Sequence, residues 1–450
     1  MSVASQAGEA EDLAYPSPAY SWYVVGVLYL AYVLAFVDRQ IMAFMVGPIR
    51  SDLGISDFQF SLVHGLAFVI FYSVLGIPIA RLADARNRRN IIATGIGLWS
   101  LMTAMCGMAG TFMQLFLVRL GVGVGEATLS PSAISLIADY FPKEKRTLAI
   151  NIYSAGVHGG AGLANIFGGL VVAFAMTGGL QEAGILGGLR AWQITFLLVA
   201  LPGLLVALLT FTIREPARRE RRATQGSGLS FGDTLAYLHR HALLYGSLMF
   251  GAGFAALASY GAFSWVPAMY ERLYGWSAAE IGLKFGLITI TFGTAGLILS
   301  GYAAGAMTRA GQSAPHVRIM VASMVCAALP AAVMVAVHDP YWTLACLALI
   351  VFFMSTPLGL VQAALQAVTP NQMRAQVIAI YLLITTIVGF GVGPSSVAAV
   401  TDYVFGYDAA VGASVAIVGA AAAVISALVL AVGLGAYRRR TREMDAETAS

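Results

Sequence analysis

The sequence predicts an all-α membrane protein of twelve transmembrane helices in two six-helix halves. Three observations carry that prediction. Of the 450 residues, 59% are hydrophobic and 11% charged, whereas a soluble domain carries about 25% charged residues. Apolar stretches of the roughly 20 residues needed to cross a bilayer recur along the whole chain. One pattern also occurs twice: Pro142–Tyr153 reads PKEKRTLAINIY and Pro370–Tyr381 reads PNQMRAQVIAIY. Both fit P-x-x-x-R-x-x-[AV]-I-x-I-Y, and they start at 142 and 370, 228 positions apart.

Residues 1–21 hold Glu9, Glu11 and Asp12 but no Lys or Arg. They lack the basic start and apolar centre of a signal peptide and are expected to form a solvated cytoplasmic tail. The first half, 22–213, contains apolar segments near 22–46, 60–83, 90–109, 112–139, 146–175 and 192–213. The second half, 242–436, contains segments near 242–270, 278–307, 317–337, 341–368, 375–400 and 409–436. Even-numbered gaps are basic. Arg81, Arg86, Arg88 and Arg89 follow segment two, and Lys143, Lys145 and Arg146 follow segment four. The linker, 214–241, carries six arginines including Arg214, Arg218 and Arg240, and the basic tail, 437–450, adds Arg438, Arg439, Arg440 and Arg442. Odd-numbered gaps hold only Arg50, Arg190, Arg272 and Lys284. The positive-inside rule therefore places both termini and the linker in the cytoplasm. The repeated pattern opens segments five and eleven from the same side, which indicates a parallel duplication about an axis along the membrane normal. In the linker, Arg214–Gly228 is polar and basic, and Ser230 with Asp233 forms a capping box ahead of a short surface helix.

Several chemistries are excluded. No G-x-x-x-x-G-K-[ST], no H-E-x-x-H and no Cys/His ligand cluster occurs, so neither cofactor nor metal is expected. Gly228-Leu-Ser230-Phe-Gly232 matches a hydrolase elbow formally, but no strand precedes it. No nucleophile–base set is visible, and neither an enzyme nor a nucleic-acid binder is expected. Gly121, Gly123 and Gly125 lie inside an apolar helix, where small residues permit close helix contact. Cys106, Cys326 and Cys346 all fall in apolar stretches and read as buried free thiols. His64 and His158 are either satisfied interior histidines or proton relays.

Charge reappears where the chain otherwise refuses it. Asp38 and Arg39 interrupt segment one; Arg119 and Glu126 interrupt segment four. Each costs about 2.5–3.5 kcal/mol at a bilayer centre even on lenient scales, so it normally faces a polar cavity. Arg119 and Glu126 are seven residues apart and share one stripe of helix, about 10 Å apart along the axis. Asp38 and Arg39 diverge by roughly 100° and need not pair with each other; Asp38 is placed to meet Arg119 across the contact of segments one and four. A carboxylate between burial and a guanidinium can switch protonation, which proton coupling requires, although a static ion pair is the alternative. Arg119 suits an anionic substrate group. The central parts of segments seven to twelve carry no Asp, Glu, Lys or Arg and offer Tyr260, Ser264, Thr289, Thr291, Gln362, Gln366, Thr385 and Ser396 instead. One charged wall facing one apolar wall fits an amphiphile, and it also fits ordinary packing. Asp84, with Arg88 and Arg89, is placed to latch the cytoplasmic gate, unless that loop serves topology alone.

These residues resemble the major facilitator superfamily. Leu82, Ala83, Asp84, Arg88 and Arg89 match its L-A-D-R-x-G-R-[RK] signature, with departures at Ala85 and Asn87. The stretch from Arg119 to Gly125 resembles the fourth-helix R-x-x-x-G signature. Gly156–Gly169 resembles the fifth-helix antiporter motif only loosely and lacks its Pro. Asp38-Arg39, Gly125-Glu126-Ala127, the run Ala138-Asp139-Tyr-Phe-Pro142 and Arg146 narrow the resemblance to the Spinster family, closely in the first half and generally in the second. The resemblance implies a proton-linked transporter of lysolipids or sphingosine-phosphate-like amphiphiles, acting as a functional monomer in a bacterial inner (plasma) membrane. It implies Asp38 and Glu126 as proton-coupling residues, and Arg39, Arg119 and Glu126 as the central polar site. The competing expectations are a facilitator for a small organic anion or drug, and a non-transporting membrane receptor or scaffold.

Overall fold

The computed structural model describes residues 15–154, 156–182, 186–218 and 230–449. Eleven helical runs there are long and apolar enough to cross a membrane. We label them with one further helix in chain order: α1 (Pro18–Phe44), α2 (Asp57–Gly76), α4 (Phe112–Tyr140), α5 (Glu144–Met176), α6 (Ala191–Thr210), α7 (Ala242–Tyr274), α8 (Ala278–Arg309), α9 (Pro315–Met334), α10 (Pro340–Val368), α11 (Arg374–Phe405) and α12 (Asp408–Met444). The further helix, α3 (Arg88–Cys106), opens on two arginines and an asparagine and is therefore less apolar, but its 19 residues are long enough to span. Eleven membrane-length runs together with α3 are consistent with the twelve segments expected.

Local chemistry sets the helix starts. Asn87 caps α3, Thr111 caps α4 and Asp339 caps α10, each accepting a backbone N–H of the first turn. The expected surface helix spans Phe231–Arg240, and its Ser230–Asp233 capping box is formed in both directions. Residues 219–229 of the linker lie outside the described residues. Arg214–Arg218 is stitched to the first half: Glu215 accepts from Arg88 Nε at 2.7 Å, and Arg218 Nη2 donates to the Ala83 carbonyl at 2.7 Å. The C-terminal basic stretch continues α12 as one helix, Val411–Ala449.

The duplication is visible in the irregularities. Wide π turns occur at Leu62–Leu66 in α2 and at Thr289–Gly293 in α8, starting 227 positions apart. Helix α4 breaks at Ala127 and Thr128, and α10 breaks at Ser355, again about half a chain apart. Irregular backbone at membrane depth persists only where protein or a cavity surrounds it. Matched discontinuities in two halves therefore mark the region of a binding site.

The halves meet along two seams, α5 against α8 and α2 against α11. The first is backbone to backbone: a Cβ on Gly162 would lie 2.7 Å from the Gly286 carbonyl oxygen, and one on Gly286 2.6 Å from that of Gly162. Polar contacts between the halves gather on the face of the α1–α2 connection, here called the loop face. Buried Asp57 accepts both Nη atoms of Arg272 at 2.7 and 2.8 Å and sits 3.0 Å from Arg50. Arg50 also reaches Asp408 at 2.8 Å, and Asp402 accepts the Phe58 N–H at 2.7 Å. One expectation fails: Cys326 is exposed, on the same outward side of α9 as Val325 and Leu329, while Cys106 and Cys346 are buried. An apolar stretch has a lipid-facing side as well as a core side, and hydropathy alone does not separate them.

Candidate transport site

The divergence of neighbouring side chains on α1 has a direct result. Asp38 and Arg39 each take a different partner on α4. Asp38 accepts from Arg119 Nη1 at 2.8 Å and from the Thr103 hydroxyl of α3. Arg39 sets Nε and Nη2 against Glu126 Oε2, both at 2.6 Å. The charges run minus–plus along α1 and plus–minus along α4, so the quartet is neutral. Asp38, Arg119 and Glu126 are all buried.

Close packing makes the quartet possible. A Cβ on Gly123 would lie 2.4 Å from the Phe68 carbonyl oxygen of α2, so that glycine lets the two backbones touch. Glu126 is the last residue before the α4 break. The Arg39 guanidinium carbon stands 4.6 Å from the Phe68 ring centroid, 5.0 Å from Tyr72 and 5.5 Å from Phe36, within cation–π range. Arg119 Nε and Nη2 and Glu126 Oε1 find no hydrogen-bond partner among the described residues. The quartet thus holds polar capacity that its ion pairs do not use.

A cavity of about 220 Å³ lies beside it, between α1, α5, α7, α8, α10 and α11. Arg39 supplies the formal charge of its wall; Phe36, Phe263, Leu347, Ile350, Met354 and Phe390 supply much of the rest. Four of its hydroxyls are already committed, while Tyr260, Tyr381 and Thr386 bring further hydroxyls to the wall. Ser259, Thr289, Ser355 and Thr385 each donate to a carbonyl one turn back in their own helix. Gln40 Nε2 donates across the halves to the Phe263 carbonyl at 2.8 Å. The wall therefore offers one cation and a few hydroxyls on a mostly apolar surface.

The structure brings together all four intramembrane charges. Among them Arg39 lines the cavity, while Asp38, Arg119 and Glu126 stand behind it. Tyr260, Thr289 and Thr385 line it as well; Gln362, Gln366, Thr291 and Ser396 do not. Ser264 instead meets buried His64 Nε2 across the halves at 3.0 Å, with Nδ1 left unpartnered. The side chains of His158 and Asp84 lie outside the described residues; Asp84 itself sits in the last turn of the helix that continues α2, Ala67–Ala85. Arg88 is buried and bridges Asp139 of α4 to Glu215 of the linker, and the Arg89 N–H donates to the same Glu215. Sequence reasoning missed Glu215, Ser355 and the Asp57–Arg272 clasp. An acid next to Pro216 at the start of a basic linker, and Ser-Thr-Pro inside an apolar run, were the available signals.

A sequence profile of the Major Facilitator Superfamily matches residues 28–394. The chain belongs to that superfamily. This facilitator is 27% identical over 404 residues to an "MFS-type efflux pump" of Mycolicibacterium smegmatis, covering 89% of each chain. It is 25% identical over 316 residues to a "Probable L-galactonate transporter" of Escherichia coli, covering 67% of this chain and 66% of the other. Among solved structures, it resembles a bacterial homologue of the human lysosomal transporter Spinster in an inward-facing, occupied conformation. The TM-score is 0.76 at 27% identity, over 95% of this chain and 98% of that one. The facilitator fold and the Spinster likeness read from its sequence therefore both hold.

Proposed function

We propose that this facilitator moves an anionic amphiphile, a lysolipid or a sphingosine-phosphate-like molecule, by alternating access coupled to protons. The observation that supports the reading is the cavity wall: one guanidinium and mostly apolar side chains, with the hydroxyls of Ser259, Thr289, Ser355 and Thr385 already bonded to their own helices. A polyhydroxylated substrate would find few partners there, and each donor or acceptor left unpaired costs about 1–3 kcal/mol. An anionic headgroup with an aliphatic tail would not incur that cost.

The charge quartet supports a coupling by competition. An anionic headgroup reaching Arg39 meets a cation already held by Glu126. Once displaced, Glu126 is a buried carboxylate without a partner, and such a group is neutralised by taking up a proton. Asp38, held by Arg119 and Thr103, is the second carboxylate able to exchange a proton as the surroundings change. Arg119 acts from behind the wall by fixing Asp38. The tail packs against α7, α8, α10 and α11, where each buried methylene contributes about 0.8 kcal/mol. The Asp84, Arg88 and Arg89 region forms the gate on the face opposite the loop face, here called the terminal face, and the basic loops support reading that face as the cytoplasmic side of a bacterial inner membrane.

Proteoliposomes with an internal pH dye test this. Lysophospholipids of increasing chain length should drive proton movement with affinity rising several-fold per methylene before levelling. The names of the L-galactonate and efflux relatives favour a second reading, a small organic anion or drug. No dependence on tail length, together with competition by galactonate, would establish that reading and sink the lipid one.

A further inference from the structure

A second polar cavity, of about 170 Å³, lies on the terminal face of the second half and shares no residue with the transport cavity. Arg240, the last residue of the surface helix, and His241, which precedes α7, enter it from one side, and Arg439, Arg440 and Glu443 from the end of α12. We propose that it binds the phosphate of an anionic membrane phospholipid.

Three independent placements support this. The first is depth. Helix α7 has 33 residues, about 50 Å, against a hydrocarbon core of about 30 Å, so its first turns stand among the headgroups. In α12, Arg439 lies about 42 Å along the helix from Val411, at the same level. The second is the neighbouring helix Phe231–Arg240. Phe231, Leu235 and Leu238 fall on one stripe; the first two are 55% and 46% exposed, and Leu238 packs inward. Such a helix lies flat in the interface with its apolar side in the acyl region. The third is the exit from the cavity. Leu243 lines it and is 53% exposed on the outside of α7, which gives an acyl chain a path beside a bound headgroup.

The electrostatics agree. Among the described residues, three guanidinium groups face one carboxylate, and Glu443 pairs with Arg440 at 3.1 Å. Burial and the neighbouring Arg440 hold the His241 imidazole below its ordinary pKa, against Glu443, with Arg240 adding to the lowering. The arginines therefore supply the charge. Basic residues placed for topology alone need only sit in the loop; these converge from two helices on one pocket. Basic pockets at this level suit anionic headgroups.

The test is native mass spectrometry of the purified full chain with added phosphatidylglycerol or phosphatidylcholine. Phosphatidylglycerol should be retained at least several-fold better. Arg240→Gln with Arg439→Gln should remove most of that preference while the thermal midpoint stays within a few degrees. Glu443→Gln should strengthen retention, because it removes the competing carboxylate. Arg442→Gln, outside the cavity, should change little. Equal retention of both lipids would overturn the proposal, as would equal loss from Arg442→Gln and the double variant. Displacement of phosphatidylglycerol by millimolar inorganic phosphate would assign the site to free anions and overturn the lipid claim.

Discussion

Replacing Asp38 by Asn tests the charge quartet most directly. The substitution keeps the shape but removes the one anion that touches Arg119, a side chain with no exposed surface and two nitrogens already unpartnered. Breaking a buried ion pair by removing one partner costs about 3–5 kcal/mol. The Asn carbonyl can still accept from Nη1 and returns about 1 kcal/mol. A net loss of about 2–4 kcal/mol is expected. Thermal unfolding followed with a thiol-reactive dye reads it, in a Cys326→Ser background that leaves buried Cys106 and Cys346 as reporters. Adding Arg119→Met removes the stranded cation. The double variant should then be more stable than Asp38→Asn alone, with a coupling energy of at least 1 kcal/mol, because the two residues touch. Strictly additive losses, or an Asp38→Asn midpoint equal to the parent, would refute the pairing as a source of stability.

Glu126→Gln should release Arg39 to the substrate. Lysolipid binding should tighten several-fold while substrate-driven proton movement in proteoliposomes is lost; weaker binding would argue against competition for Arg39. Gly162→Leu places a side chain where the Gly286 carbonyl stands, so the loop face cannot close. A cysteine at buried Ser61 should then label much faster from that side, and an unchanged rate would show that the α5–α8 seam does not set closure. Cysteines at exposed Ser51 and Ser313 should label from opposite sides of the membrane, Ser313 from the cytoplasm. Labelling of both from one side would contradict the segment count between them.

Much of this was legible because membrane physics is strict. Charge is so rare in apolar helices that Asp38, Arg39, Arg119 and Glu126 announced themselves, and seven-residue spacing put the last two on one stripe. The divergence of Asp38 and Arg39 is borne out in their separate partners. Which of the four faces the cavity was not legible. That depends on how α1, α2 and α4 pack together, through contacts such as Gly123 of α4 on Phe68 of α2 that only three dimensions reveal. The Gly156–Gly169 stretch matched a motif loosely, and its role emerged only when Gly162 met Gly286 of the other half. Glu215 escaped notice because a linker acid has no apolar surroundings to make it conspicuous. Asp57 and Arg272, 215 positions apart, carried no local sign of each other.

The two halves repeat one plan down to the broken fourth and tenth helices, yet only the first carries acids and guanidinium groups at its centre. A duplicated ancestor with one energy-converting site per half would have had to change both copies together whenever its cargo changed. On the proposed coupling, the power supply sits in one copy and most of the greasy wall in the other. Variation at Ile350, Met354 or Phe390 can then retune what is carried without touching the machinery that drives it. A chimera joining this first half to a second half from another facilitator should keep its driving ion and acquire a new cargo.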